Sequence, residues 1–314
     1  MALKELDNSN INKHLGKSSE YASNYDPSLL VREPRQSNRT HINVNDDNLP
    51  FIGGDTWNGY EVTGLTNNGR PVVGVAKFVY PCDSKYIVES KSLKLYFNSF
   101  CMTHLGETEA DVLRSIEEKA AKDLSEYLET TAEVRVFSNF ESLNDPTHAM
   151  REWHRGNTHS ADNVQGYVTL EDYCKDDNIV FDTYSETPEL LEIIDSDKSP
   201  QLFHSALLRS RCRVTSQPDS GDVYIYFEGD KTVTEESLLK YLVSFRDECH
   251  FHEEICETIY TRLFEMLKPD ELVVRCLYAR RGGWDINPER ASDDKLLHHT
   301  LGDTRVVHVK TPKQ

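Results

Sequence analysis

The run RCRVTSQPDSGDVYIYFEGDKTVTEESLLKYLVSFRDECHFHEEICETIYTRLFEMLKPDELVVRCLY, residues 211–278, decides the fold class. Arg211–Thr215 and Val223–Phe227 have the composition of hairpin strands, and Gln217-Pro218-Asp219-Ser220-Gly221 between them has the residues of a turn. The period then lengthens. Leu238, Leu239, Leu242 and Phe245 fall on one face of a helix starting near Thr234, and Ile255, Ile259, Leu263 and Leu267 on one face of a second that Pro269 stops. Leu272–Tyr278 returns to strand composition, and Arg305–Lys310 offers a closing strand. A strand-strand-helix-helix-strand-strand order predicts an α+β fold, an antiparallel sheet with paired helices on one face.

Working outward, residues 51–140 carry a related pattern. Within Val72–Phe100, VVGVAKFVY and YIVESKSLKLYF alternate apolar and polar residues and predict two strands. Thr108 with Asp111 predicts a capping box, Val112, Ile116, Ala120 and Leu124 line one helix face, and AEVRVF at 132–137 closes the unit as a strand. Residues 1–50 are rich in Asn, Ser, Asp and Pro without sustained period and predict an extended arm. Residues 141–200 turn polar and acidic, as a connecting region does, although GYVTL and NIVFDTY within it have strand composition. The organisation expected is therefore arm 1–50, module 51–140, connection 141–200 and module 201–314.

Acidic residues outnumber basic ones 53 to 35, for a net charge of −18, and no basic cluster offsets this. Such a body is repelled by phosphate backbones, so a small-molecule substrate is expected and no direct nucleic-acid partner. Seven cysteines without paired spacing, and a polar start rather than a signal peptide, lead us to expect a reducing cytoplasm. No apolar stretch approaches the roughly 18 residues of a bilayer-spanning helix, so no membrane association is expected.

Three groups of residues could carry chemistry. Cys212 with Asp219 offers a thiol nucleophile and a proton carrier, although from the residues alone a small core cysteine beside an ordinary turn is the more common reading of such a pair. Arg211 and Arg213 flank the thiol but point to the opposite strand face, so their effect on it is second order. Cys249, His252 and Cys256 are zinc-type residues, yet their spacing matches no recurring zinc pattern and no metal is expected. Glu89-Ser90-Lys91 with Lys94 alternates charge along a strand, which reads as a solvated face. No Gly-x-Gly-x-x-Gly or Walker loop is present, so pattern alone implies no nucleotide cofactor.

These same residues, in order, carry a resemblance. Glu89-Ser90-Lys91-Ser92-Leu93-Lys94-Leu95-Tyr96, Leu207-Leu208-Arg209-Ser210-x-Cys212 running to Gln217-Pro218-Asp219, Phe251-His252-Glu253, and Arg280-Arg281-Gly282-Gly283-Trp284-Asp285-Ile286-Asn287-Pro288 resemble the motifs of the QueF family of NADPH-dependent 7-cyano-7-deazaguanine reductases. Leu15-Gly16-Lys17 and Tyr25-Asp26-Pro27-Ser28-Leu29-Leu30 extend the likeness into the arm. The chain departs from the family at Arg211 and Arg213, which replace less polar neighbours of the cysteine, and at Ser220, where tryptophan is common.

The resemblance implies two tunnelling-fold (T-fold) units in one chain, a homodimer, and reduction of a nitrile to an aminomethyl group through a cysteine thioimide in queuosine biosynthesis. It implies Cys212 as nucleophile and Asp219 as proton donor, for which a partly buried site that raises the pKa of Asp219 is suited. Glu253 is implied as the acceptor of the deazapurine N–H groups, supported by Val88, Glu89, Ser90 and His252, while Ser90, Lys91, Arg281 and Gly282 are implied at NADPH. The rivals are a thiol-dependent nitrile hydrolase, a zinc cyclohydrolase of similar fold, and a non-catalytic purine- or pterin-binding module.

Overall fold

A computed structural model describes residues 24–138, 166–173, 179–213, 215–298, 300–305 and 314. In chain order the elements of the first half are β1 (Arg32–Pro34), α1 (Arg35–Arg39), β2 (Ile52–Thr66), β3 (Pro71–Pro81), β4 (Tyr86–Val88), α2 (Ser90–Asn98), β5 (His104–Gly106), α3 (Glu109–Leu128) and β6 (Glu133–Ser138). Then follow β7 (Val168–Thr169), α4 (Leu170–Tyr173), β8 (Ile193–Asp195), β9 (Gln201–Ser205), β10 (Arg209–Cys212), β11 (Pro218–Glu228) and β12 (Lys231–Val233). The last are α5 (Glu235–Ser244), β13 (Cys249–His250), α6 (His252–Leu267), β14 (Glu271–Tyr278) and β15 (Trp284–Ala291).

The fold is α+β. One largely antiparallel sheet runs β13-β10-β11-β14-β15-β2-β3-β6, with β9 on β11, β7 on β9 and β5 on β2. β10, β11, α5, α6 and β14 match, in order, the first five expected elements: strand, strand, helix, helix, strand. β15 pairs along its whole length with β2, Trp284 opposite Gly59 through Ala291 opposite Ile52, so a single sheet joins the two halves of the chain. Two apolar cores lie beneath the helices. One joins Val223, Ile225 and Phe227 of β11 to Leu238, Leu242, Ile255, Ile259 and Leu263. The other joins Trp57 and Phe78 to Leu93, Phe97, Val112, Ile116 and Leu124, and also takes in Trp284 and Ile286 of β15.

The helices form where the sequence provides ends as well as faces. Thr108 Oγ1 accepts from the Asp111 amide while the Asp111 carboxylate accepts from the Thr108 amide, the capping box expected for α3. Lys268 closes α6 in the left-handed conformation (φ 48°) just before Pro269.

Three local expectations are corrected, and one falls largely outside the described residues. Residues 90–98, read as strand, are helix α2, because Glu89 caps the Lys91 and Ser92 amides at 3.0 and 2.7 Å and Leu93, Tyr96, Phe97 and Phe100 repeat at helical spacing into the core. The turn expected at 217–221 lies upstream: Pro218–Gly221 belongs to β11, and the Cys212 amide donates to Gln217 O at 2.8 Å across the reversal. The last sheet strand described is 284–291, whereas residues 306–310 of the closing strand expected at 305–310, like Leu15-Gly16-Lys17, lie outside the described residues. In the connecting region GYVTL yields only the two-residue β7, and 179–184 forms no regular element.

The arm is tied down by charge. Arg35 and Arg39 are fully buried, Arg35 paired with Asp55 of β2 and Arg39 with Glu257 of α6 at 2.7 Å. Arg290 of β15 completes the network, 2.9 Å from Asp55 and 2.8 Å from Glu257. Among the described residues, no helix is long and apolar enough to cross a membrane.

Candidate active site

Where β10, β11, α2, α6 and the β14–β15 turn converge, a cleft is lined by Ser90, Lys91, Lys94, Cys212, Asp219, His252, Ala279, Arg281, Trp284 and Ile286. Register explains how the first pair meets. Ser210 of β10 lies opposite Asp219 of β11, and side chains two apart on a strand share a face, so Cys212 emerges on the same side as the Asp219 carboxyl. Cys212 is a free, half-buried thiol at the end of its strand. Its arginine neighbours are engaged elsewhere: Arg211 with Asp247 at 2.5 Å, Arg213 with Asn38 and Glu254 and over the Phe251 ring. Ser220, the other departure, pairs in register with Arg209 and gives its carbonyl to the Ala279 amide at 2.8 Å.

Asp219 is buried between Arg281 and His252. Its Oδ1 accepts from Arg281 Nη1, and its Oδ2 lies 3.7 Å from His252 Nε2. Burial pushes the carboxyl up, but His252 and Arg281 together outweigh burial and hold it below the usual range for aspartate. The expectation of a raised pKa is thus reversed, because His252 and then Arg281 favour the carboxylate form. His252 is the first residue of α6, and its ring packs against Tyr278 with centroids 4.0 Å apart.

The cationic wall is built by a helix and a hairpin. Ser90, Lys91 and Lys94 lie at helical spacing on the first turns of α2, so their side chains reach one cleft as they could not from a strand. Arg281 sits at the base of a two-residue turn whose Gly282 and Gly283 adopt φ 56° and 76°, with Arg281 and Trp284 exchanging backbone hydrogen bonds at 2.9 and 3.3 Å. Two successive positive φ values favour glycine strongly. Burial, followed by repulsion from Lys91 and Arg281, lowers the Lys94 ammonium to about 8. This excess of positive charge fits a phosphorylated ligand.

Not every expected site residue lines the cleft. Val88 is buried in β4 opposite Arg32, and both Glu89 oxygens cap α2. Gly282 shapes the turn. Glu253 is buried beneath the cleft with Oε1 lacking a hydrogen-bond partner, and burial, followed by repulsion from Asp55, raises it to about 8. Lys94, Trp284 and Ile286 were not among the expected ligand residues, and reading residues 90–98 as helix would have drawn Lys94 in beside Lys91. Cys249, His252 and Cys256 do not converge: Cys256 is buried against the carbonyls of Val274 and Pro288.

Two family models match. Residues 21–136 match the nitrile reductase, 7-cyano-7-deazaguanine-reductase N-terminal family, and residues 218–296 match the QueF-like protein family. An NADPH-dependent 7-cyano-7-deazaguanine reductase of Colwellia psychrerythraea (strain 34H / ATCC BAA-681) is 38% identical over 283 residues, covering 88% of this chain and 91% of the relative. The chain belongs to the QueF nitrile reductase family. The crystal structure of the archaeosine synthase QueF-Like in the apo form aligns with 31% of this chain and 94% of its own, at 16% identity and a TM-score of 0.27. For this QueF member, the motifs at Cys212, Asp219, His252 and Arg281 are therefore side chains of one cleft as well as stations along one sequence.

Proposed function

We propose that this chain is an NADPH-dependent reductase of 7-cyano-7-deazaguanine, making the aminomethyl deazapurine for queuosine, and that its catalytic centre is the Cys212–Asp219 cleft. The observation that carries this reading is the meeting of a thiol, an ion-paired carboxylate, an imidazole and three cationic side chains in one cleft of a nitrile reductase family member.

Asp219, ionised beside Arg281 and His252, accepts the Cys212 thiol proton as sulfur adds to the nitrile carbon, and the proton then passes to the nitrile nitrogen. The S–C bond forms, one C≡N π bond breaks, and a thioimide results. NADPH, when bound, supplies the two hydrides that the four-electron reduction needs. A proton reaches nitrogen with each hydride, Asp219 and His252 being placed to deliver it, and the C–S bond breaks between the two reductions to return the Cys212 thiolate. Lys91, Lys94 and Arg281 would hold the cofactor phosphates, and Ser90 lies at the seam between the two ligands. Glu253, protonated in the free protein, would ionise to accept the N–H groups of the deazapurine edge.

We further infer two T-fold units, 51–140 and 201–314, joined by 141–200 behind the arm 1–50, acting in the cytoplasm as a homodimer without direct contact with nucleic acid. The two family matches, which fall on either side of 137–217, and the net charge of −18 support this. Incubation of wild type with nitrile alone should give the mass of a thioimide adduct, and Cys212→Ala should lose both the adduct and NADPH oxidation. An adduct that persists in Cys212→Ala overturns the assignment, and acid or amide formed without NADPH oxidation would favour the hydrolase.

A further inference from the structure

One cluster of ionisable side chains lies apart from the chemistry above. His41, in the 3-10 turn after α1, His250 of β13 and Glu254 in the first turn of α6 bring one donor atom each within 4.8 Å of the others. Glu254 Oε1 is 3.6 Å from His41 Nδ1 and 2.8 Å from His250 Nδ1. The two imidazole rings stack 5.1 Å apart and nearly parallel, at 9°.

Each group is oriented by a partner on its far side. Glu254 Oε2 faces the Phe251 amide at 3.3 Å and Arg213 at 3.5 Å, which leaves Oε1 to the imidazoles. His250 Nε2 is 3.0 Å from the Glu248 carboxylate, which can only accept, so that nitrogen carries the proton. His41 Nε2 is 3.2 Å from Thr258 Oγ1, whose own hydroxyl donates to Glu254 O at 2.8 Å. The threonine oxygen therefore accepts from His41; His250 Nδ1 shares a proton with Glu254 Oε1 in the metal-free protein, and a metal ion would displace that proton so that both Nδ1 atoms and Oε1 converge on one ligand. Carboxylate–imidazole partnership behind a donor atom is the arrangement that orients histidine on metals.

We propose that His41, His250 and Glu254 form a binding site for a borderline divalent transition metal, with zinc as the archetype. Two nitrogens and one carboxylate oxygen are a complete protein ligand set for zinc when solvent takes the fourth position. Donors held about 2.0–2.2 Å from one ion stand about 3.3 Å apart, within the span of the spacings already present. His41 is 36% exposed, which gives an ion access from solvent, whereas Glu254 is buried. The bound ion would join the arm to the segment that continues into His252 and Glu253. The site stands on its own residues and does not depend on the reductase reading.

The test uses the full chain, stripped with chelator and titrated with cobalt(II) chloride and then zinc chloride. One equivalent of cobalt should give visible ligand-field bands without a thiolate charge-transfer band, and zinc should bleach them. His41→Gln, at the surface and checked by near-ultraviolet circular dichroism for a native fold, should abolish the bands. Glu248→Gln, which removes the carboxylate behind His250 while keeping an oxygen for the Glu186 amide, should weaken affinity about 10- to 100-fold. No bands in wild type, thiolate charge transfer, or bands unchanged in His41→Gln would each overturn the site and leave a proton shared between His250 and its two glutamates as the cluster's content.

Discussion

Glu253 and Glu257 sit one turn apart on α6, both buried, yet their carboxyls are driven in opposite directions. At Glu257 burial raises the pKa, but Arg290, Arg39 and Arg35 more than reverse it, to about 2; at Glu253 burial and Asp55 prevail, to about 8. Because the folded state holds the Glu253 proton more tightly than the unfolded chain does, stability falls as pH rises from 4.5 to about 8. Glu253→Gln keeps a neutral group there, so its thermal midpoint at pH 8 should exceed that of wild type. The same change should raise KM for the nitrile about 10- to 100-fold, the worth of a charge-assisted hydrogen bond of roughly 1.5–3 kcal/mol. Thermal scans and steady-state kinetics measure the two effects, and an unchanged KM would remove Glu253 from the base-binding role. The sequence identifies Cys212, Asp219 and Glu253 by motif but not their protonation. What holds the Asp219 carboxyl down is His252 at the start of α6 together with Arg281 on another hairpin, and nothing local signals either pairing.

At the level of elements, α2 shows how a short amphipathic run can satisfy two readings. SKSLKLYF alternates well enough for a strand, and only a cap decides between the periods: the Glu89 carboxylate takes two amides, one of them that of Lys91. The long helices α3 and α6, of 20 and 16 residues, were legible from several turns of apolar spacing, and the shorter α5 from its leucines after the Thr234 cap, whereas residues 90–98 supply little more than two turns. β15 was hidden for a related reason. WDINPERA lacks the alternation of a half-exposed strand because all eight residues are buried. Glu89→Ala should cost about 0.5–2 kcal/mol, the usual loss for an N-cap, and should raise KM for NADPH more than KM for the nitrile, since Lys91 and Lys94 ride on the helix it starts. Glu89→Asp, another good cap, should recover most of the loss. A rise confined to the nitrile would instead assign Glu89 to the substrate.

Across the whole molecule, the arm is held by charges that no local pattern connects. Arg35 and Arg39 look like surface residues of a polar stretch, and their partner Glu257 lies more than two hundred residues away. Asp55, Glu257 and Arg290 come from β2, α6 and β15, so the network also spans the junction where β15 and β2 make one sheet of the two halves. A buried ion network is not evidence of net stabilisation, but removing one member leaves the others uncompensated at a cost of about 3–5 kcal/mol. Glu257→Gln should therefore lower the unfolding free energy at pH 7 by about that amount in urea titrations. Glu236→Gln, which breaks only the half-exposed surface pair with Lys240, should stay within about 1 kcal/mol of wild type. Glu257 also fixes the sign of the acid response. Its folded pKa is depressed, so the stability it contributes is present above pH 4.5 and is lost as pH falls toward about 2. Wild type should lose stability through that window and Glu257→Gln should lose less, while equal acid slopes in the two proteins would mean that other carboxylates hold the arm in place.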